Sequence, residues 1–144
     1  MRFWDASALV PLFIAETGTA HAEGWLREDP HVVVWTLTRV ELLSALARRR
    51  RQEHGTAGTL SAARTELLST WGRWSEVAAI EPVRAQAERI VERHPLRAAD
   101  ALQIGAAIVA AAGDPATLEF VTFDARQADA AEHEGFRVLR QAAV

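Results

Sequence analysis

The chain has 144 residues, 49% hydrophobic and 24% charged, with a formal net charge of −3. This is an ordinary globular composition sized for one domain over residues 1–144, and it argues against a disordered segment or a generally basic nucleic-acid binder. Cysteine is absent, which excludes disulfides, thiolate metal sites and cysteine nucleophiles, and all sixteen basic residues are arginine, which excludes Schiff-base chemistry and lysine-dependent phosphate loops.

In chain order, Phe3-Trp4 reads as a short strand and Ala6 to Ala15 as a helix after it. The N-terminus lacks a basic region followed by a long apolar run, so no signal peptide is expected. Thr17-Gly18-Thr19 is a break, and His21 to Glu28 is helical. Asp29-Pro30 turns the chain into Val32 to Trp35, the clearest strand. The segment TLTRVELLSALARRRR carries apolar residues at helical spacing, with Val40, Leu43 and Ala47 as its stripe. A break at Gly55 to Gly58 precedes a helix from about Ser61 to Trp74, where Trp71 and Trp74 read as core or interface anchors. EVAAI is a moderate strand, Pro82 opens a helix, and His94-Pro95 closes it. Ala98 to Ala112 is an alanine-rich helix that contains the most apolar stretch, Ile104 to Gly113, too short to span a bilayer. LEFVTF is a strand, Ala125 to Glu134 a helix capped by Gly135, and FRVL the last strand.

Strands alternating with helices predict parallel pairing and a layered α/β domain. In such sheets, ligands sit beyond the carboxyl ends of the strands at a topological switch point. Asp5 and Asp124 follow strands; Glu41 and Asp100 lie at the starts of helices. Each has a structural reading beside the functional one. Asp5 and Asp124 could cap the helices that follow them. Thr38-Arg-Val-Glu41 has capping-box spacing, in which Glu41 would bond back to the Thr38 amide. Asp100 is harder to dismiss, because it shares a helix face with Ile104, Ala107 and Ala111, and an unpaired buried carboxylate is costly.

Four acids gathered at one sheet edge would repel one another, and a hard divalent cation resolves this. Mg²⁺, with Mn²⁺ as a substitute, accepts oxygen ligands and keeps several waters. Zinc is disfavoured: His21, His31, His54, His94 and His133 are scattered, solvated and not paired at ligand spacing. A serine-nucleophile triad through Ser7 lacks the flanking glycines of a nucleophile elbow.

The series DASALV, then Glu41 early in a helix, LRAADAL, and VTFDARQADAAEHEGFRV resembles the PIN-domain family, specifically the VapC-type toxins of toxin–antitoxin pairs, from Arg2 to Leu139. That resemblance implies an α/β fold, a three-layer α/β/α sandwich around a mainly parallel sheet of four to five strands, and a Mg²⁺-dependent endoribonuclease in which Asp5, Glu41, Asp100 and Asp124 form the catalytic acidic quartet. Asp5, Asp100 and Asp124 would be metal ligands, and Ser7 and Thr122 supporting hydroxyls. Gln103 departs from the pattern, standing where many relatives have histidine. In this reading the acids hold one or two Mg²⁺ ions, which polarise a scissile phosphate and activate a water. Arg48, in the run Arg48 to Arg51, and Arg97 are the expected contacts to the RNA backbone, against the alternative of solvated helix ends. The resemblance further implies a cytoplasmic homodimer neutralised by a cognate VapB-type antitoxin, with no membrane association. The competing readings are a catalytically silent PIN-like binding module, disfavoured by four intact acids, and another Mg²⁺-dependent phosphoryl-transfer hydrolase, disfavoured by the lack of a nucleophilic Asp-x-Asp motif.

Overall fold

Every strand expected from an apolar run forms, and all of them pair in parallel. The structure, a computed structural model, describes residues 1–52 and 57–141. Its elements in chain order are β1 (Arg2–Trp4), α1 (Ala6–Leu9), α2 (Thr19–Glu28), β2 (Val32–Trp35), α3 (Thr38–Gln52), α4 (Ala57–Trp71), β3 (Ser75–Val77), α5 (Ile80–Arg93), α6 (Ala98–Ala110), β4 (Glu119–Val121), α7 (Ala125–His133) and β5 (Arg137–Leu139). His54 and Gly55 lie outside the described residues.

The sheet order is β3-β2-β1-β4-β5. The chain winds outward from β1 to β3 on one side, then returns to place β4 against the other edge of β1. The switch point therefore lies between β1 and β4, whose register aligns Trp4 with Val121. Successive residues of a strand face opposite layers, and both faces are covered. Phe3, Val33, Trp35 and Phe120 pack on α5, α6 and α7, while Trp4, Val32, Val34 and Val121 pack on α1 to α4. This explains why VVVW is apolar at every position, and why the edge strand β3, largely exposed, is not.

Three differences from the sequence reading have local causes. The helix expected over Ala6 to Ala15 stops at Leu9 and tightens into a 3-10 turn over Val10–Leu12, since Pro11 has no N–H to donate and its ring would crowd a longer α-helix. Ile80, expected in a strand, opens α5 instead, with Pro82 in its first turn. In α3 the buried residues are Leu42, Ala45 and Leu46, whereas Val40 is 64% exposed, so the expected stripe is rotated about the helix axis. The α5–α6 contact is close enough that a Cβ on Gly105 would sit 2.8 Å from the Val83 carbonyl oxygen. Gly135, at φ +103°, ends α7 as expected of a left-handed cap. Trp71 is buried and meets Trp74 edge-on, so the pair belongs to the core.

Candidate active site

β1 ends at Trp4, and Asp5 follows it into the sheet's carboxyl edge, where its amide donates to the Val121 carbonyl at 3.1 Å. Its carboxylate caps α1, accepting from the Ala8 amide at 3.4 Å, and also accepts from the Ser7 hydroxyl at 2.7 Å. Ser7 Oγ in turn accepts from the Phe123 amide at 2.9 Å and lies 3.2 Å from Thr122 Oγ1, itself an acceptor from the Asp124 amide at 3.0 Å. The two hydroxyls thus tie the end of β1 to the end of β4 (the switch point). Asp5 is only 1% exposed. Burial pushes its pKa up to about 7, against the pull of the Ser7 and Thr122 hydroxyls and the Ala8 amide, and the Asp124 charge adds to the rise.

Asp124 caps α7 by accepting from the Gln127 amide at 2.9 Å. Asp100 stands in the first turn of α6, after Arg97 at the cap position. Burial and the Asp124 charge raise its pKa, while Gln127 and the Arg97 and Arg126 guanidinium groups lower it. Glu41 lies in the first turn of α3, but the capping box does not form. The helix begins at Thr38, so Thr38 is not the cap, and the Glu41 carboxylate turns instead to Gln103, whose Nε2 donates to Glu41 Oε1 at 2.9 Å and to Thr38 Oγ1 at 2.8 Å. Burial, then the Asp100 charge, raises the Glu41 pKa.

All four acids line one cleft of about 970 Å³. Arg48 and Arg97 line it as well, joined by Arg49 and Arg126. Arg49 is paired to Glu16 at 2.5 Å. The site is thus acidic at its floor with guanidinium groups on its walls. Among the described residues, no three acidic or histidine side chains converge into a ready-made metal cage. The donor set nonetheless fits a hard cation: it is all oxygen, Asp5 is buried without a cationic partner in its hydrogen bonds, and burial, with neighbouring acids adding to it, raises the pKa values of Asp5, Glu41 and Asp100. An open cradle of this kind suits Mg²⁺, which keeps several waters rather than filling its shell from protein.

Two site residues carry no motif in the sequence. Gln103 is fully buried and Gln127 is 4% exposed, and each gives its amide nitrogen to an acid of the cleft. A signal was available for both. Gln103 stands three residues after Asp100 in a helix that is otherwise apolar there, and Gln127 occupies the third helical position after the Asp124 cap. His94 also differs from expectation, being held at 2.8 Å by Glu134 rather than solvated. His21, His31 and His133 are exposed.

Comparison with known proteins agrees with this architecture. The family model described as PIN domain matches residues 2–133, and the chain belongs to the PIN-domain family. It is 30% identical over 136 residues to two Mycobacterium tuberculosis proteins, ribonuclease VapC45 and ribonuclease VapC49, covering 94% of this chain and 92% of each relative. Its fold is similar to that of PAE2754 from Pyrobaculum aerophilum (TM-score 0.66, 20% identity, 96% of this chain and 89% of that one). A toxin–antitoxin complex from Klebsiella pneumoniae also shares the fold (TM-score 0.64, 12% identity, 88% and 89% coverage). No helix among the described residues is long and apolar enough to cross a membrane.

Proposed function

We propose that this protein is a metal-dependent endoribonuclease toxin, a single PIN-like domain over residues 1–144, neutralised by a cognate VapB-type antitoxin. The observation that carries the reading is Asp5, buried at the switch point with no cationic partner and gathered with Glu41, Asp100 and Asp124 in one arginine-walled cleft. The names of its two mycobacterial relatives, and the antitoxin present in the Klebsiella structure, support the substrate class and the partner.

In this reading Asp5, Asp100 and Asp124 hold Mg²⁺, for which Mn²⁺ substitutes. When bound, the ion supplies Lewis acidity, lowering the pKa of water and neutralising charge on a phosphoryl oxygen. Ser7 and Thr122 fix the Asp5 carboxylate and the Asp124 backbone through the hydrogen bonds given above. Arg48 and Arg97, which line the same cleft, hold the backbone phosphates. Glu41 Oε1 is engaged by Gln103, leaving Oε2 to take a proton from the attacking water, and burial raises its basicity for that task. Attack by water on phosphorus breaks the bond to O3′, which takes up a proton from solvent as it leaves, giving a 5′-phosphate and a 3′-hydroxyl. The protein acts in the cytoplasm as a homodimer; Ile80 and Val91, large exposed apolar residues three turns apart on α5, support a covered face there.

Purified protein free of antitoxin is expected to cleave RNA with Mg²⁺ or Mn²⁺, to yield 5′-phosphate ends, and to lose cleavage in Asp5→Asn and Asp100→Asn. No cleavage under these conditions, or full activity in both variants, overturns the proposal.

A further inference from the structure

Asp100 and Asp124 reach the cleft from different helices, α6 and α7, and one residue touches both. The backbone amide of Gln127 donates to Asp124 Oδ1 at 2.9 Å, and its side-chain Nε2 donates to Asp100 Oδ1 at 2.9 Å. The Gln127 side chain is nearly fully buried, and its carbonyl Oε1 has no hydrogen-bond partner among the described residues. Rotating the amide by half a turn would not help, because it would set that oxygen against the Asp100 carboxylate. The acid therefore dictates the amide's orientation, and an unpartnered buried carbonyl is the consequence.

A residue selected for stability alone would not be placed this way, since an apolar side chain of the same size would fill the space without an orphaned acceptor. The value of an amide here is that it is neutral. It orients a carboxylate without adding a positive charge that would compete with a bound cation, as an arginine at this position would. Gln103 treats Glu41 in the same manner, with the same unpartnered Oε1.

We infer that Gln127 is a positioning residue that fixes Asp100 relative to Asp124 for cation binding. The inference rests on the metal-site reading given under Proposed function, and it concerns how the site is held rather than which acids form it.

The test uses the antitoxin-free protein and Mn²⁺ alone, with binding read from loss of the free-ion signal in electron paramagnetic resonance and folding from circular dichroism. Gln127→Met and Gln127→Leu both keep apolar bulk and remove the amide. Each is expected to melt within a few degrees of the parent while binding Mn²⁺ about tenfold more weakly or worse, the range typical of residues that orient metal ligands. Unchanged Mn²⁺ affinity in a folded variant overturns the inference, and so does failure of both variants to fold, which makes Gln127 a structural tie. If the parent protein itself binds no Mn²⁺, it is the metal-site reading that fails.

Discussion

The Ser7 hydroxyl donates to Asp5 Oδ1 at 2.7 Å while accepting from the Phe123 amide at 2.9 Å, so one small side chain joins the acid that ends β1 to the backbone that follows β4. Ser7→Ala removes both interactions. The Phe123 amide would lose its acceptor and Asp5 a donor that pulls its pKa down. A loss of about 1–3 kcal/mol in stability is expected from the unsatisfied amide, measurable by urea denaturation. RNA cleavage should fall by about tenfold or more, because an oxygen ligand loses its orienting partner.

The metal-free protein should become less stable as pH rises from about 4 to about 7. Asp5 has a folded-state pKa near 7 against 3.8 when unfolded, so the fold binds its proton more tightly than the unfolded chain does. The cost of burying the ionised group is therefore absent below the unfolded value and complete above the folded one, where it amounts to as much as about 4 kcal/mol. Glu41 and Asp100 are raised as well and act with the same sign. Glu134 opposes them only at lower pH: burial would raise its pKa, but His94 and Arg89 outweigh it and hold it below 4.5. Thermal melts across this range, repeated with Asp5→Asn, check the point; the variant should show a flatter profile and gain stability at the upper end.

Arg48 and Arg97 line the cleft wall, and replacing either with alanine should weaken RNA binding without unfolding the protein, since both are exposed. A backbone contact affects all sequences alike. Each substitution should therefore reduce the salt dependence of binding by about 0.7 in logarithmic slope, the value for one phosphate on a single strand. Binding to an Asp5→Asn background at several salt concentrations measures this without cleavage. An unchanged slope in both would remove these arginines from the interface.

Gly105→Ala should destabilise the protein although alanine is the better helix former. Its Cβ would come within 2.8 Å of the Val83 carbonyl and 3.1 Å of the Ala87 amide nitrogen, both backbone atoms of α5 that cannot turn aside. Separating the helices is expected to cost about 1–3 kcal/mol, seen as a lower denaturation midpoint.

What the sequence determined by itself was the architecture and the identity of the acids that line the cleft. Alternating strands and helices led to a parallel sheet, and the apolar run VVVW to a strand covered on both faces, because these patterns follow from backbone periodicity alone. Asp5, Glu41, Asp100 and Asp124 were picked out by their places at element ends, and the capping readings of Asp5 and Asp124 hold at the same time as their shared cleft. Only the tertiary structure decided which face of α3 is buried, that Glu41 turns to Gln103 rather than to its own helix, and that Gln127 spans two acids. A glutamine in a helix carries no charge and no motif, so its sequence neighbours do not reveal its partner. Nor could local spacing place Asp100 beside Asp124, since their proximity depends on the switch that brings β4 against β1 and lays α6 and α7 on one face of the sheet.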